Sequence, residues 1–124
     1  KMCKGVEVLG SGTSGIIPEE TPLAPVGAIQ ALLDQTKICL SKVAFIELME
    51  AYAAQAIMCA RFCNLDLDKI NIRGGALSRG HPIGASGAIL VVRLFNELIK
   101  KPETFGMAAI AAAGGIGSAM MLKS

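Results

Sequence analysis

Phe105-Gly106-Met107-Ala108-Ala109-Ile110-Ala111-Ala112-Ala113-Gly114-Gly115-Ile116-Gly117-Ser118-Ala119-Met120-Met121-Leu122 contains no charged residue, and its reading decides the fold. As one helix, the run approaches the length of a membrane span, with Ala and Gly recurring at the small-xxx-small spacing of packed membrane helices. As two strands, it is a pair of apolar runs joined by a Gly-Gly turn, the pattern of a buried β-hairpin. Gly114-Gly115 sits in the middle, where a helix is weakened and a hairpin needs its turn. The sequence therefore predicts the hairpin and no membrane helix.

Upstream, Lys100-Lys101 complement the negative end of a helix dipole and Pro102 stops that helix, which begins near Ala85-Ser86-Gly87 and runs through Ile89, Leu90, Val92 and Leu94. A glycine-dense loop from Gly74 to Gly84 precedes it, led in by the short extended run Lys69-Ile70-Asn71-Ile72. Val43 to Leu48 reads as a strand, and from Glu50 onward Ala53, Ala56, Ile57 and Ala60 share one helical face. Val26, Ile29, Leu32 and Leu33 mark an earlier helix, started by Thr21 and Pro22. Nearest the beginning, a strand at Val6 to Leu9 gives way to a flexible stretch, Gly10 to Gly15. Strand and helix alternate, so right-handed crossovers predict an α/β fold. The expected sheet is mainly parallel and five-stranded, is covered by helices, and ends in an antiparallel hairpin.

A chain of 124 residues builds one core, predicting a single domain over residues 1–124. Its 52% hydrophobic and 18% charged content is too apolar for a small free-standing surface. With Lys1 in place of an initiator methionine and no signal-peptide pattern, this predicts a piece of a larger protein with an uncovered face that associates. Net charge is +2 with dispersed Lys and Arg, which argues against nucleic acid. Cys3, Cys39, Cys59 and Cys63 form no Cys-x-x-Cys pair and lie far in sequence from the single histidine. No metal site is expected, and the four read as reduced, buried small hydrophobes.

The chemistry concentrates between Gly74 and Gly87. Glycines there allow positive φ and close approach of backbone to a ligand, and the loop opens a helix whose free amides favour negative charge. His81, at its centre, precedes proline and is biased to an extended backbone that fixes the ring direction. Two readings stay open from these residues alone: proton transfer and oxyanion contact, or a structural histidine bonded to a backbone carbonyl.

The strings Asn71-Ile72-Arg73-Gly74-Gly75-Ala76 and Gly80-His81-Pro82-Ile83-Gly84-Ala85-Ser86-Gly87 resemble the Gly-His-Pro signature of thiolases. Two further segments match in order. Phe45 to Gln55 resembles the Asn-Glu-Ala-Phe segment, and Gly106 to Gly117 resembles the Cys-x-Gly-Gly-Gly segment. The resemblance extends over nearly the whole chain and implies a thiolase C-terminal half. It implies a parent acyltransferase of the acetyl-CoA C-acetyltransferase type, acting on acetoacetyl-CoA or 3-ketoacyl-CoA. In that family a cysteine of the N-terminal half takes the acyl group covalently. The C-terminal half supplies the histidine that activates it, here His81 with Gly80, Pro82 and Gly84 around it. It also supplies an Asn holding an oxyanion-hole water and a second cysteine that moves the α-proton.

Those last two are absent. Met49 stands at the Asn and Ala111 at the second cysteine, while Ala51 stands where sterol-carrier-type thiolases place theirs. The resemblance leaves Ala113, beside Gly114, to offer a backbone N–H to the second oxyanion hole, and puts Ala51 and Tyr52 in the acyl pocket. Arg73, Ser78 and Arg79 replace smaller or apolar residues, either as solvated loop residues or as altered acyl or pantetheine contacts. The expected parent is cytoplasmic and homo-oligomeric (dimer or tetramer). It is expected to use a coenzyme A thioester as substrate with no cofactor, and to be weakened by the missing groups. The alternative is a non-catalytic, acyl-CoA-binding or hydrolysing subunit. The chain alone, without its N-terminal half, is expected to be inactive.

Overall fold

A computed structural model describes residues 5–124 of the chain, so Cys3 lies outside the described residues. The strands are β1 (Glu7–Gly15), β2 (Val43–Leu48), β3 (Phe105–Ala112) and β4 (Ile116–Lys123). The helices are α1 (Ala24–Thr36), α2 (Ala53–Phe62), the single turn α3 (Ala76–Arg79) and α4 (Ser86–Leu98). Spatial order across the sheet is β1-β4-β3-β2. β4 pairs antiparallel with both β1 and β3, and β2 pairs parallel with β3. Three strands thus run one way and β4 runs against them, as a mainly parallel sheet with a reversed last strand requires. The pairing pattern differs from the expectation because β4 inserts between β1 and β3, leaving one parallel pair among three.

Two further corrections concern the strands. The expected fifth strand at Lys69 to Ile72 is reduced to a single parallel bridge between Ile70 and Ile46. Asn71 takes a left-handed φ of 47° and turns the chain out of the ladder. The stretch Gly10 to Gly15, read as a loop, is instead the body of β1, zipped to Ile116–Met121 of β4. Gly12 serves helix–sheet packing, and so does Gly117 on β4. A Cβ at Gly12 would overlap the carbonyl oxygen of Ala28, and one at Gly117 would overlap that of Ala24, because α1 lies directly on β1 and β4.

The run Phe105 to Leu122 is the hairpin β3–β4, and no helix among the described residues is long and apolar enough to cross a membrane. Its turn is one residue longer than expected: Ala113, Gly114 and Gly115 lie between the facing pair Ala112 and Ile116. Strand alternation divides the core. Met107, Ala109, Ala119 and Met121 meet Ala28, Ile29 and Leu32 of α1 and Cys59 of α2 on one face. Ala108 and Leu122 meet Leu90, Leu94 and Leu98 of α4 on the other. Helix α2 buries Gln55, Cys59 and Ala60, so its inward face is rotated from the expected stripe, leaving Ala53 and Ile57 exposed. The buried Gln55 is satisfied locally: its Oε1 accepts from the Ala51 N–H at 3.0 Å.

Cysteine burial holds only in part. Cys59 is buried and Cys63 half-buried, but Cys39 is exposed, at the entry to β2. Burial pushes the Cys63 thiol up to about 11 and also raises that of Cys59. A hydrogen bond with Ser41, Sγ to Oγ 3.0 Å, pulls Cys39 down. Thiolate is the reactive form, so brief native alkylation with iodoacetamide should mark Cys39 and leave Cys63 slower by roughly a hundredfold. Equal labelling of the two, read by peptide mass spectrometry, would contradict this packing.

Candidate active site

β2 and β3 deliver their C-terminal ends to the same edge of the sheet, the edge at which open α/β sheets place ligands. Met49 extends β2 there by donating its N–H to the Ala109 carbonyl at 2.9 Å. Asn71 then fastens the incoming loop. Its N–H donates to the Ile46 carbonyl (2.8 Å), its Oδ1 accepts from the Leu48 N–H (3.0 Å), and its Nδ2 donates to the Leu48 carbonyl (2.8 Å). The same Nδ2 donates to Glu50 Oε1 at 2.6 Å, and Glu50 Oε2 accepts from the Leu77 N–H at 3.0 Å. Glu50 therefore grips both the start of the loop and α3. Gly75 leaves the space that the Glu50 carboxylate fills; a Cβ there would overlap the carboxylate and push it from these bonds.

Gly80 caps α3 with φ +92° and releases the chain into His81-Pro82. His81 is half-buried, and its Nδ1 lies 2.7 Å from the Oγ of buried Ser86, the first residue of α4. The Ser86 hydroxyl has one proton, and it is donated to the Pro82 carbonyl at 3.0 Å. With its proton on that carbonyl, Ser86 accepts from the ring, an arrangement that assigns the ring proton to Nδ1 and the lone pair to Nε2. A ring fixed this way can take a proton at Nε2 and then offer that N–H as a hydrogen bond to a developing oxyanion. Of the two readings open for the histidine, bonding to a backbone carbonyl is not what forms: the carbonyl is reached through Ser86.

The remaining expected site residues distribute around this edge. Ala111 is half-buried on β3 opposite Gly117, and Ala113 and Gly114 are exposed at the hairpin tip. That tip is pinned from behind: the Gly115 N–H donates to Thr21 Oγ1 at 2.8 Å and the Ile16 N–H to the Gly115 carbonyl at 2.8 Å. A cavity of about 210 Å³, lined by Gly87, Leu90, Ile110, Ser118 and Met120 among others, runs from the start of α4 along the hairpin. Met49 is 3% exposed and packs on Ala76 and Leu90, contributing to the core and not to an open pocket. Ala51 is exposed, and Tyr52, 48% exposed, lines an open cavity of about 270 Å³ with Pro22, Leu23, Gln55 and Met58. No residue of the glycine-rich loop lines that cavity. Pro82 and Gly84 are exposed, as are Ser78 and Arg79. Ser78 bonds the Gly75 carbonyl (2.9 Å), Arg79 reaches the Gly74 carbonyl (3.4 Å), and Arg73 pairs with Glu97.

Sequence reasoning assigned no role to Ser86, Glu50, Glu47 or Arg93. Glu47 carried a signal, because a carboxylate inside the apolar strand Val43–Leu48 needs a partner. Its Oε2 accepts from Arg93 Nε of α4 at 2.9 Å. Burial pushes the Glu47 carboxyl up against the pull of Arg93, whereas the hydrogen bond from Arg73 holds the Glu97 carboxyl below its ordinary range. Among the described residues, no group of three His, Cys, Asp or Glu side chains is placed to hold a metal.

The family model for the thiolase C-terminal domain matches residues 4–124. A Bacillus subtilis protein, YhfS, provisionally named an acetyl-CoA C-acetyltransferase, is 43% identical over 93% of the chain and 32% of its own length. The chain thus spans about a third of that relative. Among solved structures, the Acat5 thiolase of Ascaris suum in complex with coenzyme A superposes with a TM-score of 0.91 at 36% identity, over 96% of the chain and 31% of that protein. The acetyl-CoA acetyltransferase of Bacillus anthracis gives a TM-score of 0.91 at 32% identity, over 94% of the chain and 30% of that protein. The chain belongs to the thiolase family, as its C-terminal domain.

Proposed function

We propose that the chain is the histidine-bearing half of an acyl-CoA acyltransferase of the acetyl-CoA C-acetyltransferase type, with acetoacetyl-CoA or a 3-ketoacyl-CoA as the longer substrate. The observation that carries this is the His81–Ser86–Pro82 chain of hydrogen bonds at the C-terminal edge of β2 and β3. It leaves Nε2 ready to take the proton of an attacking thiol. That thiol is not supplied by the described cysteines. Cys39 lies at the opposite end of β2, while Cys59 and Cys63 face the Pro22 and Val26 carbonyls beside α1. The nucleophile comes from the N-terminal thiolase half, whose thiolate attacks the thioester carbonyl. Coenzyme A leaves as its thiol with the proton that His81 held.

Exposed Val92 and Phe95 of α4, with Val8 on β1, give the apolar surface that the N-terminal half covers. The intact protein is then a cytoplasmic homo-oligomer that uses no cofactor beyond its coenzyme A thioester substrates. Ala111 and Met49 put no proton carrier and no side-chain amide at the edge where a second half-reaction needs them. Losing a general base costs about 10² to 10⁴ in rate, so acylation persists while condensation and thiolysis are slow. The test is incubation of the full-length protein with radiolabelled acetyl-CoA, then acid quench and a search for thioester-linked label. Label with poor thiolysis of acetoacetyl-CoA supports the reading. A folded protein that takes no label would instead be a binding or structural subunit.

A further inference from the structure

Helix α4 touches the glycine-rich loop at three points on one face, and the order is antiparallel. Ser86 holds His81, Arg93 Nη2 donates to the Gly74 carbonyl at 2.8 Å, and Glu97 holds Arg73. Ser86 and Arg93 are seven residues apart, two turns and about 10 Å along the helix axis. The helix therefore acts as a splint along the loop, fastened at the histidine and at the loop's beginning. Gly74, held at its carbonyl, has φ +80°, and Gly80, just before the histidine, has φ +92°, positions where the backbone is soft. Arg93 does not swing freely: Glu47, near the C-terminal end of β2 with its side chain 4% exposed, accepts from its Nε. A buried ion pair adds little stability over an apolar pair of the same shape, so its worth here lies in the geometry it sets.

We propose that Arg93 is a positioning residue for His81, aligned by the buried Glu47 and acting through the Gly74 carbonyl. This rests on the reading of His81 as the group that activates the acyl-accepting thiol.

The experiment uses the full-length protein and three variants: R93M, R93K and the double variant E47Q/R93M. Two quantities are read: amide hydrogen exchange of peptides spanning residues 74–84, and the acetyl-labelling rate as a function of acetyl-CoA concentration. R93M should raise exchange in that segment about tenfold while peptides from β3 and β4 change less. Its maximal labelling rate should fall about tenfold at an unchanged half-saturating concentration, the size set by one charge-assisted hydrogen bond. R93K, which keeps the charge but not the fork, should recover part of both. E47Q/R93M removes both charges, so it should regain thermal stability without regaining either the slow exchange or the labelling rate. A double variant that recovers all three would make Arg93 a structural residue only, as would unchanged exchange in R93M. If the unmodified protein takes no label, the function reading fails, and the exchange measurement alone then decides the splint.

Discussion

His81→Ala in the full-length protein is expected to slow acetyl transfer from acetyl-CoA onto the enzyme by roughly 10³, within the range lost with a general base or an oxyanion donor. The variant should fold. The ring is half-buried, and its described hydrogen bond is to Ser86, whose hydroxyl keeps the Pro82 carbonyl when the ring is gone. Ser86→Ala separates the ring's chemistry from its orientation. It removes the acceptor that keeps the proton on Nδ1, so a fraction of the rings rotates or changes tautomer while every ring keeps its titratable nitrogen. One neutral hydrogen bond is worth about 1 kcal/mol, so labelling should slow about fivefold, far less than in His81→Ala. Comparable losses in the two would mean that Ser86 does more than orient. Unchanged labelling in His81→Ala, with the fold intact by circular dichroism, would remove the histidine from the mechanism.

The fold was legible where the signal is local. The apolar run of β2, the stop at Pro102 and the glycines at 114 and 115 each act within a few residues, and the structure places a strand, a helix end and a turn there. It was illegible where the constraint comes from far along the chain. Gly10 to Gly15 reads as loop by composition, yet it forms a strand because α1 lies on Gly12 and on Gly117, about a hundred residues apart in sequence. The insertion of β4 between β1 and β3 has no local signature either. The β3 side of β4 is the local hairpin, but its other edge pairs with β1 from the far end of the chain, and no nearby residue signals that pairing.

The site divides along the same line. His81 stood out because it is the single histidine, held in a glycine-rich loop before a proline. Its support did not, because each partner is a side chain whose role exists only after folding. Ser86 lies close in sequence, but its hydroxyl could as well have capped the helix. Arg93 reads as a solvated charge until Glu47 and the Gly74 carbonyl are seen against it. Met49 shows the converse, since a position matched by resemblance to a polar residue is filled by a core side chain. What a matching position does depends on what surrounds it, and that is set by packing.

Gly12→Ala is expected to cost more stability than any other variant named above. An added methyl there would overlap the Ala28 carbonyl oxygen and lie 2.7 Å from the Leu32 amide nitrogen, both backbone atoms of α1 that cannot rotate away. Relief requires α1 to lift from the sheet, opening the cluster in which Ala28, Ile29 and Leu32 are fully buried. Overpacking of this kind costs about 3 kcal/mol or more, and a domain of this size should melt lower by on the order of 10 °C. Gly15→Ala, on the same strand, is the control. Nothing lies within 4 Å of a Cβ there, so the change should be neutral or slightly stabilising through the unfolded chain. The contrast isolates the helix–sheet approach from strand propensity, which alanine alters alike at both positions. Equal melting temperatures for the two variants would mean that α1 does not rest on β1 at Gly12, and that glycine would then need another explanation than packing.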